Sequence, residues 1–251
     1  MTSLKYYRDY YEQDGIRSAD ISAEERISMV LNIFPQGVHS VLDVGCGDGT
    51  LISLLGTKYS KAGLDISYNA LQRAKDIQRV QASVGAIPLL KNSFDLVLCT
   101  EVIEHLGRNE YESTVKEIQR IAKRYIIVSV PYLEDLASKE TRCPNCKYIY
   151  HIHLHLRDFN LDLLSKLFTN FSLKTFQYSL VHEKFFPGWA LKLRRKFGGR
   201  YEWDKNLLCP RCGQKNHDPP QRSLISVTTG LMAECFGKKT PKWIACLYEK
   251  R

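Results

Sequence analysis

The sequence contains no apolar run long enough to cross a membrane, and it contains no internal repeat or low-complexity tract. Its first seven residues, Met1 to Tyr7, do not have the pattern of a secretory signal peptide. These absences argue against a membrane-spanning, a repetitive or a secreted protein, and they predict a cytoplasmic location. The apolar content of 44% and the charged content of 25% are typical of a globular chain with one large or two small domains.

The first 180 residues carry no net charge, because 21 Lys and Arg are balanced by 21 Asp and Glu. Residues 181–251 hold 15 basic and 6 acidic side chains, and they account for the whole net charge of +9. Nucleic-acid binding by the first part is therefore not expected, whereas the second part could be attracted to an anionic partner. Residues 185–200 are both basic and aromatic, which is compatible with a membrane surface, a phosphorylated substrate, nucleic acid or a solvated helix.

Eight cysteines in a chain expected to be cytoplasmic favour metal binding or free thiols over disulfides. Two C-x-x-C motifs, Cys143 to Cys146 and Cys209 to Cys212, each hold a proline and a turn-forming residue between the cysteines. Together they predict a tetrahedral zinc site with four thiolate ligands, which is structural because no position stays open for water or substrate. Redox chemistry and disulfides are the alternatives. The long separation of the motifs indicates two insertions that are clipped together in space.

Three glycines at alternate positions follow a short apolar strand pattern at Val41–Val44. They form the motif Gly45-x-Gly47-x-Gly49, and a helical pattern comes after it. Glycines let the backbone turn sharply and approach a ligand, and the amides at the start of the next helix point towards what is bound. The stretch predicts a binding site for a small polar ligand, with Asp43 just before the first glycine. Its spacing differs from the G-x-G-x-x-G motif of dinucleotide-binding sites.

Two downstream stretches extend this pattern. Lys61 to Ser67 has the pattern of a strand that ends in the acid Asp65, and Ser93 to Leu106 that of a strand followed by a Glu-Val-Ile-Glu-His-Leu loop. Taken with the glycine loop, in this order and at these separations, they make the sequence resemble the class I S-adenosylmethionine-dependent methyltransferases. The resemblance extends over residues 22–180 and 221–251.

This resemblance implies an α/β fold with a Rossmann-like, seven-stranded and mostly parallel sheet, helices on both faces and a small zinc-clipped insertion. The predicted division of the chain is an N-terminal helical cap at 1–36 and a methyltransferase core at 37–180 and 221–251. Zinc-binding insertions at 132–152 and 181–220 would form a small lobe. The alternation of strand and helix patterns by itself already indicates the α/β class.

The implied cofactor is S-adenosylmethionine, with Asp43 and the glycine loop on its methionine part and Asp65 on its ribose. An alignment on Ile87-Pro88 places Ser83 where many relatives have an acid for the adenine, so Ser83 and the backbone of Val84 are the candidates there. The predicted cofactor-binding residues are Asp43, Gly45, Cys46, Gly47, Gly49, Asp65, Ile66, Ser83, Val84, Thr100 and Glu101.

Three histidines are candidates for a general base near the transferred methyl group: His105, His153 and His155. His105 belongs to a Glu-His-Leu loop that recurs in the family partly for structural reasons. The alternation from His151 to Leu156 is strand-like, would place three imidazoles on one face, and suggests a second metal site. In the other interpretation, this segment leads into the next helix and one histidine faces the substrate.

The resemblance implies displacement of the methyl group from the sulfonium by a nucleophile of the substrate. The acceptor we expect is a hydroxyl of a small molecule or glycan intermediate. One alternative is an RNA or protein methyltransferase that docks its substrate through the basic zinc lobe. The other is a non-catalytic protein that binds the cofactor.

Overall fold

The computed structural model describes residues 21–185, 187–198, 201–204, 207–215, 224, 227–228, 230–231, 235 and 237–251. Residues 1–20 of the predicted helical cap, and most of residues 221–236 in the second part of the predicted core, lie outside the described residues. The predicted helical cap is therefore described only from residue 21 onwards.

Seven strands form the central sheet, in the spatial order β3-β2-β1-β4-β5-β11-β8. The first five are parallel to their neighbours, and β11 lies antiparallel between β5 and β8. The described strands are β1 Ser40–Val44, β2 Ser60–Asp65, β3 Gln78–Gln81, β4 Phe94–Thr100, β5 Ala122–Pro131, β6 Glu140–Arg142, β7 Ile149–His151, β8 Phe171–Tyr178, β9 His182–Phe185, β10 Lys238–Pro241 and β11 Trp243–Lys250.

Helices cover both faces of this sheet. Met29, Val30 and Ile52 pack on one face, and Ile118 and Leu164 pack on the other. The described helices are α1 Ile21–Asn32, α2 Thr50–Ser53, α3 Tyr68–Arg73, α4 Arg108–Ile121, α5 Leu161–Ser165 and α6 Gly188–Gly198, and a 3₁₀ turn spans Leu136–Lys139. The predicted α/β fold with a seven-stranded, mostly parallel sheet is confirmed.

The near-continuous apolar run of β4 follows from its central position. Leu96 and Leu98 point into the core layer under α1 and α2, whereas Val97 and Cys99 point into the layer under α4 and α5. All four side chains are completely buried. A parallel strand that is covered on both faces needs apolar side chains at every position, so its sequence does not alternate between apolar and polar residues. Its carboxyl end, at Thr100, is where the chain can change to polar residues and form a site.

A small lobe lies beyond the carboxyl end of β5. It contains the antiparallel pairs β6–β7 and β9–β10. Its apolar cluster is separate from the two clusters of the main sheet and consists of Cys143, Tyr150, Leu154, Leu207, Leu208 and Cys209, with Cys146 and Ile152 packed against it. Because β10 pairs with β9, the lobe extends into the chain predicted as core at 221–251, and the domain division stays a prediction. Among the described helices, none is both long and apolar enough to span a membrane.

Candidate active site

The glycine loop connects β1 to α2, and all three glycines have a positive φ: 79° at Gly45, 54° at Gly47 and 75° at Gly49. A Cβ on Gly45 would lie 2.4 Å from Cγ2 of Val102, and one on Gly49 would lie 2.9 Å from Cβ of Ala74. A Cβ on Gly47 would meet no atom of the described residues within 4 Å. Two of the glycines are therefore required by packing, while Gly47 faces open space, as a residue beside a ligand does.

Backbone amides hold the loop against the end of β2. The N–H of Cys46 donates to the carbonyl of Leu64 at 3.0 Å. The N–H of Gly47 donates to Oδ2 of Asp65 at 2.8 Å, and that of Ser67 donates to Oδ1 of Asp65 at 2.8 Å. Asp65 is thus fixed at the loop by both of its oxygens. The predicted residue Ile66 lies between these two contacts, with its carbonyl 3.3 Å from Nε2 of Gln81.

Asp43 lies behind the glycine loop and is 2% exposed. Its Oδ1 accepts no hydrogen bond from the described residues. Burial, reinforced by the nearby charge of Asp65, raises the pKa of Asp43 to about 7. A buried carboxyl without a partner is costly, and a cationic ligand would relieve this cost. The open cradle at Gly47 and the lone oxygen of Asp43 both fit a ligand that carries positive charge.

An acid from another element lies beside Ser83, after the end of β3. The N–H of Gly85 donates to Oγ of Ser83 at 3.2 Å, and that hydroxyl donates to Oε1 of Glu110 at 3.3 Å. Glu110 comes from α4, and burial raises its pKa. Its Oε2 is buried and has no hydrogen-bond partner among the described residues. Glu110 was not found from the sequence, because its only signal is an acid in the first turn of a distant helix.

Thr100 ends β4, and Glu101 follows with a positive φ of 56°. The carboxylate of Glu101 accepts hydrogen bonds from Oγ of Ser129 at 3.1 Å and from Nε1 of Trp243 at 2.9 Å. Glu101 therefore joins the ends of β4, β5 and β11. Its predicted contact with the cofactor stays a prediction, as does that of Thr100.

The next residues of this loop meet the histidine segment. The ring centroids of His105 and His155 are 4.7 Å apart, and those of His151 and His155 are 4.6 Å apart in a stacked arrangement. The centroid of His153 is 5.7 Å from that of His155. The three candidate bases named from the sequence thus belong to one cluster, together with His151.

The predicted strand from His151 to Leu156 is wrong, because β7 ends at His151. Leu154 has a φ of 62°, and the chain wraps around the ring of His151. Nδ1 of His151 accepts the backbone N–H groups of His153 at 3.2 Å and His155 at 3.3 Å. The histidines gather through this tight loop, and not through the alternation of a strand.

Glu134 connects two of these histidines and was not found from the sequence. Its Oε2 lies 2.5 Å from Nδ1 of His155, and its Oε1 lies 3.5 Å from Nε2 of His151. Burial opposes its charge, but the hydrogen bonds from His151 and His155 hold the pKa of Glu134 well below its ordinary value. Partial desolvation, followed by the neighbouring imidazoles, lowers the pKa of His153, although this residue is exposed at the edge of the cluster. These groups form a carboxylate–imidazole cluster at the carboxyl end of the sheet.

The four cysteines of the two C-x-x-C motifs come together as predicted, with all sulfurs within 4.8 Å of one another. Sγ of Cys143 lies 3.6 Å from that of Cys212, and Sγ of Cys146 lies 3.6 Å from that of Cys209. All four thiols are free.

The two motifs have the same backbone geometry. The N–H of Lys147 donates a hydrogen bond to the carbonyl of Cys143. In the same way, the N–H of Gly213 donates to the carbonyl of Cys209. Lys147 and Gly213 both have a positive φ, of 60° and 72°. Each turn therefore directs its two thiols to the same side. We call each C-x-x-C turn a knuckle, and the four cysteines of the two knuckles the cysteine tetrad. This geometry fits a tetrahedral metal ion with four thiolate ligands.

Comparison with known proteins agrees with this geometry. A family model described as a methyltransferase domain matches residues 42–127, which include the glycine loop, Asp65 and His105. Residues 42–127 therefore belong to the methyltransferase domain family. It is 36% identical over 183 residues to an uncharacterised protein of Methanocaldococcus jannaschii, a match that covers 68% of this chain and 78% of the relative.

Two further proteins illustrate the range of these similarities. The chain is 32% identical over 94 residues to a ubiquinone biosynthesis O-methyltransferase of Albidiferax ferrireducens, which covers 32% of this chain and 36% of that protein. Its fold is similar to that of 1,6-didemethyltoxoflavin-N1-methyltransferase from Burkholderia thailandensis, with a TM-score of 0.55 and 11% identity. That match covers 99% of this chain and 86% of the other.

Proposed function

We propose that this protein transfers a methyl group from S-adenosylmethionine to a hydroxyl group of a small molecule or glycan intermediate. The observation that carries the proposal is the carboxylate–imidazole cluster at the carboxyl end of the sheet. A hydroxyl acceptor must lose its proton, whereas an amine needs little more than positioning. The similarity of one stretch to a ubiquinone biosynthesis O-methyltransferase also supports an oxygen acceptor.

The residues around the glycine loop fit the cofactor. When it is bound, S-adenosylmethionine supplies an electrophilic methyl group on a positively charged sulfur. Asp43 provides a buried negative charge for the cationic methionine part, and the open cradle at Gly47 admits it. Asp65 provides hydrogen-bond acceptors for the ribose hydroxyls. At the adenine end, Val84 supplies backbone contacts, and Glu110 supplies the acceptor that Ser83 does not.

His155 and Glu134 are the pair we assign to the acceptor proton. Because Glu134 accepts the hydrogen bond from Nδ1 of His155, Nε2 of that ring is left as the basic nitrogen. His105 lies against the same ring, and burial holds its pKa well below its ordinary value, so it is neutral at physiological pH. A neutral His105 adds no charge that would repel the cationic cofactor.

The cysteine tetrad is proposed to hold a structural zinc ion. With Zn–S bonds of about 2.3 Å, tetrahedral geometry requires sulfurs about 3.8 Å apart. The 3.6 Å separations across the two knuckles are close to this value. Four cysteine ligands leave no coordination position for a substrate, so the role of this ion is to hold the lobe together.

An RNA or protein acceptor is the second candidate, and the basic excess of residues 181–251 favours it. Several basic side chains of the lobe are engaged within it, however. Arg195 lies 2.8 Å from a carboxylate oxygen of Glu140, and Lys139 pairs with Glu183. These charges are neutralised inside the lobe, which weakens its attraction for a polyanion.

Calorimetric titration of the zinc-loaded protein with S-adenosylmethionine tests the proposal, followed by an acceptor screen of matched alcohols and amines. We expect cofactor binding, loss of that binding in Asp65→Ala, and turnover of alcohols only. Asp162→Ala, which changes an exposed acid on α5, is the matched control and should bind normally. Binding without turnover of any acceptor would favour the non-catalytic alternative, and salt-sensitive binding of bulk RNA would favour the second candidate.

A further inference from the structure

The carboxylate of Glu104 is the least satisfied group of the cluster. The residue is completely buried, and neither carboxylate oxygen accepts a hydrogen bond from another described residue. Nε2 of His105 lies 3.8 Å from its Oε1, which is beyond hydrogen-bond distance. A buried carboxylate in such surroundings is normally paired or bound to a metal ion. The fold keeps Glu104 in place nevertheless, because its carbonyl accepts the N–H of Leu156 at 2.8 Å.

Two imidazole nitrogens lie close enough to this carboxylate for one ion to bind all three groups. An oxygen of Glu104, a nitrogen of His105 and a nitrogen of His155 all lie within 4.8 Å of one another. A single ion at the centre of such a triangle can bind all three at once. Two histidines and one carboxylate form a common ligand set for divalent zinc, iron and related ions, and they leave positions free for water or substrate.

Glu134 and His151 form a second cluster with His155, but their hydrogen bonds give them a different role. Nδ1 of His151 accepts two backbone N–H groups, so its proton resides on Nε2, which faces Glu134. Glu134 in turn accepts from Nδ1 of His155 at 2.5 Å. This leaves Nε2 of His155 with a lone pair. A carboxylate that orients a histidine through its other nitrogen is the usual support of a metal-bound imidazole.

We infer that Glu104, His105 and His155 bind a divalent metal ion at the carboxyl end of the sheet, separate from the cysteine tetrad. Glu134 is a positioning residue that fixes the tautomer and the orientation of His155. In the metal-bound protein, Nε2 of His155 would be a ligand instead of a base. The ion would then take over the task assigned to that nitrogen, because a hydroxyl acceptor bound at an open position loses its proton more readily and can release it to solvent. The role of the ion rests on the proposed function, whereas its binding does not.

Mn²⁺ is a suitable probe, because it prefers nitrogen and oxygen ligands to thiolates. The zinc-loaded protein is dialysed against a chelator that leaves the cysteine tetrad loaded, and it is then titrated with Mn²⁺ while free Mn²⁺ is measured by electron paramagnetic resonance. We expect one Mn²⁺ per chain in the wild type. We expect at least a tenfold loss of affinity in Glu104→Gln and His155→Asn, and a 10- to 100-fold loss in Glu134→Gln.

Two histidine variants are matched controls. His153→Asn changes the neighbouring ring that is not in the proposed ligand set, and His182→Asn changes an exposed histidine in β9; both should keep the wild-type affinity. A second equivalent of zinc in the purified wild type, absent from Glu104→Gln, supports the site equally. Absence of any second metal from the wild type overturns the inference, and so does unchanged affinity in Glu104→Gln and His155→Asn.

The same samples are titrated with S-adenosylmethionine. Cofactor binding and alcohol turnover by a protein that binds no second metal would contradict the metal site and leave the proposed function intact. Mn²⁺ binding by a protein that does not bind the cofactor would contradict the proposed function and leave the metal site intact. Glu134→Gln provides the second line of evidence if Glu104→Gln does not fold.

Discussion

The Nδ1 atom of His155 lies 2.5 Å from the Oε2 atom of Glu134, although the two residues are 21 positions apart in the chain. Glu134 follows β5, and His155 follows β7 in the small lobe. Both are almost completely buried. The contact therefore joins the segment after β5 to the segment after β7, at the point where the acceptor is expected.

Replacement of Glu134 by glutamine should slow methyl transfer by roughly 10- to 100-fold, because His155 loses the acceptor that fixes its orientation. The dissociation constant for S-adenosylmethionine should stay within about twofold, because Glu134 does not line the glycine loop. Steady-state kinetics and calorimetry on the same preparation measure both. Asp135→Asn is the matched control, since Asp135 only caps the 3₁₀ turn through the N–H of Ala137. Equal losses in the two variants would contradict the role given to Glu134.

Asp65→Asn should weaken cofactor binding by roughly 1–3 kcal/mol. The carboxylate accepts hydrogen bonds from Gly47 and Ser67, so its neutralisation affects the loop as well as the ribose contact. Asp65→Ala should weaken binding further, because it removes both acceptors. Isothermal titration with S-adenosylhomocysteine, which lacks the sulfonium charge, should show the same order of affinities. An unchanged affinity in both variants would show that the ribose binds elsewhere.

The raised pKa of Asp43 predicts a dependence of stability on pH. Its pKa is about 7 in the folded protein, against an ordinary value of 3.8. The folded state therefore keeps this proton up to about pH 7, whereas the unfolded chain releases it near pH 4. The stabilisation from this difference is fully present below pH 4 and is lost as the pH rises to 7, which is worth roughly 4 kcal/mol.

Asp43→Asn removes the titrating group and should flatten this dependence. Urea unfolding at pH 5 and pH 8 should give a smaller difference in the free energy of unfolding for the variant than for the wild type. Cofactor affinity of the wild type should rise through about pH 7, because the positive charge of the methionine part favours the ionised carboxyl. If the free energy of unfolding and the cofactor affinity of Asp43→Asn changed with pH in the same way as those of the wild type, both expectations would be contradicted.

Two glycine variants should separate packing from binding. Gly45→Ala places a Cβ 2.4 Å from Val102 and should lower the free energy of unfolding by roughly 1–3 kcal/mol. In Gly47→Ala the added methyl group meets no atom of the part of the chain that the structure describes, and the variant should lose only about 1–2 kcal/mol of stability for its left-handed backbone. Its main effect should be loss of cofactor binding, because the methyl group occupies the open cradle. Thermal unfolding measures the stability of both variants, and calorimetry measures their cofactor binding. Normal binding by Gly47→Ala would contradict a ligand at that position.

Removal of zinc should disturb the histidine cluster as well as the lobe. Cys209→Ser with Cys212→Ser should bind no structural zinc, lower the melting temperature and reduce methyl transfer. Cys235→Ser, which changes an exposed cysteine outside the tetrad, should leave zinc content and stability unchanged. Metal analysis, differential scanning calorimetry and activity measure these outcomes. Full activity in a zinc-free double variant would show that the lobe does not position the histidines.

Much of the fold could be predicted from the sequence, because the relevant signals are local. The glycine motif and the acid Asp65 mark the first two parallel strands, and the apolar run of β4 follows from burial on both faces. The paired C-x-x-C motifs predicted the cysteine tetrad for a similar reason, since each knuckle is built from its own hydrogen bonds. In these places, short-range chemistry and long-range packing require the same residues.

The candidate site was only partly predictable, because its main contacts are formed between distant segments. Glu134 has no sequence pattern, and only the meeting of the lobe with the end of β5 brings it to His155. The strand expected after His151 failed because Leu154 adopts a positive φ, which β-propensity does not indicate. Glu110, which we propose as the acid in place of Ser83, comes from a distant helix, and a comparison position by position does not detect such a residue.

The cysteine tetrad also acts on the unfolded chain. Cys146 and Cys209 are 63 positions apart, so an ion that binds both knuckles closes a loop of that length. A covalent crosslink over such a loop would reduce the entropy of the unfolded chain by an amount worth about 4 kcal/mol. The histidine segment begins only five residues after Cys146, within reach of this constraint. Metal supply during folding would therefore decide how much of the newly made chain acquires an ordered catalytic pocket, before any cofactor or acceptor is encountered.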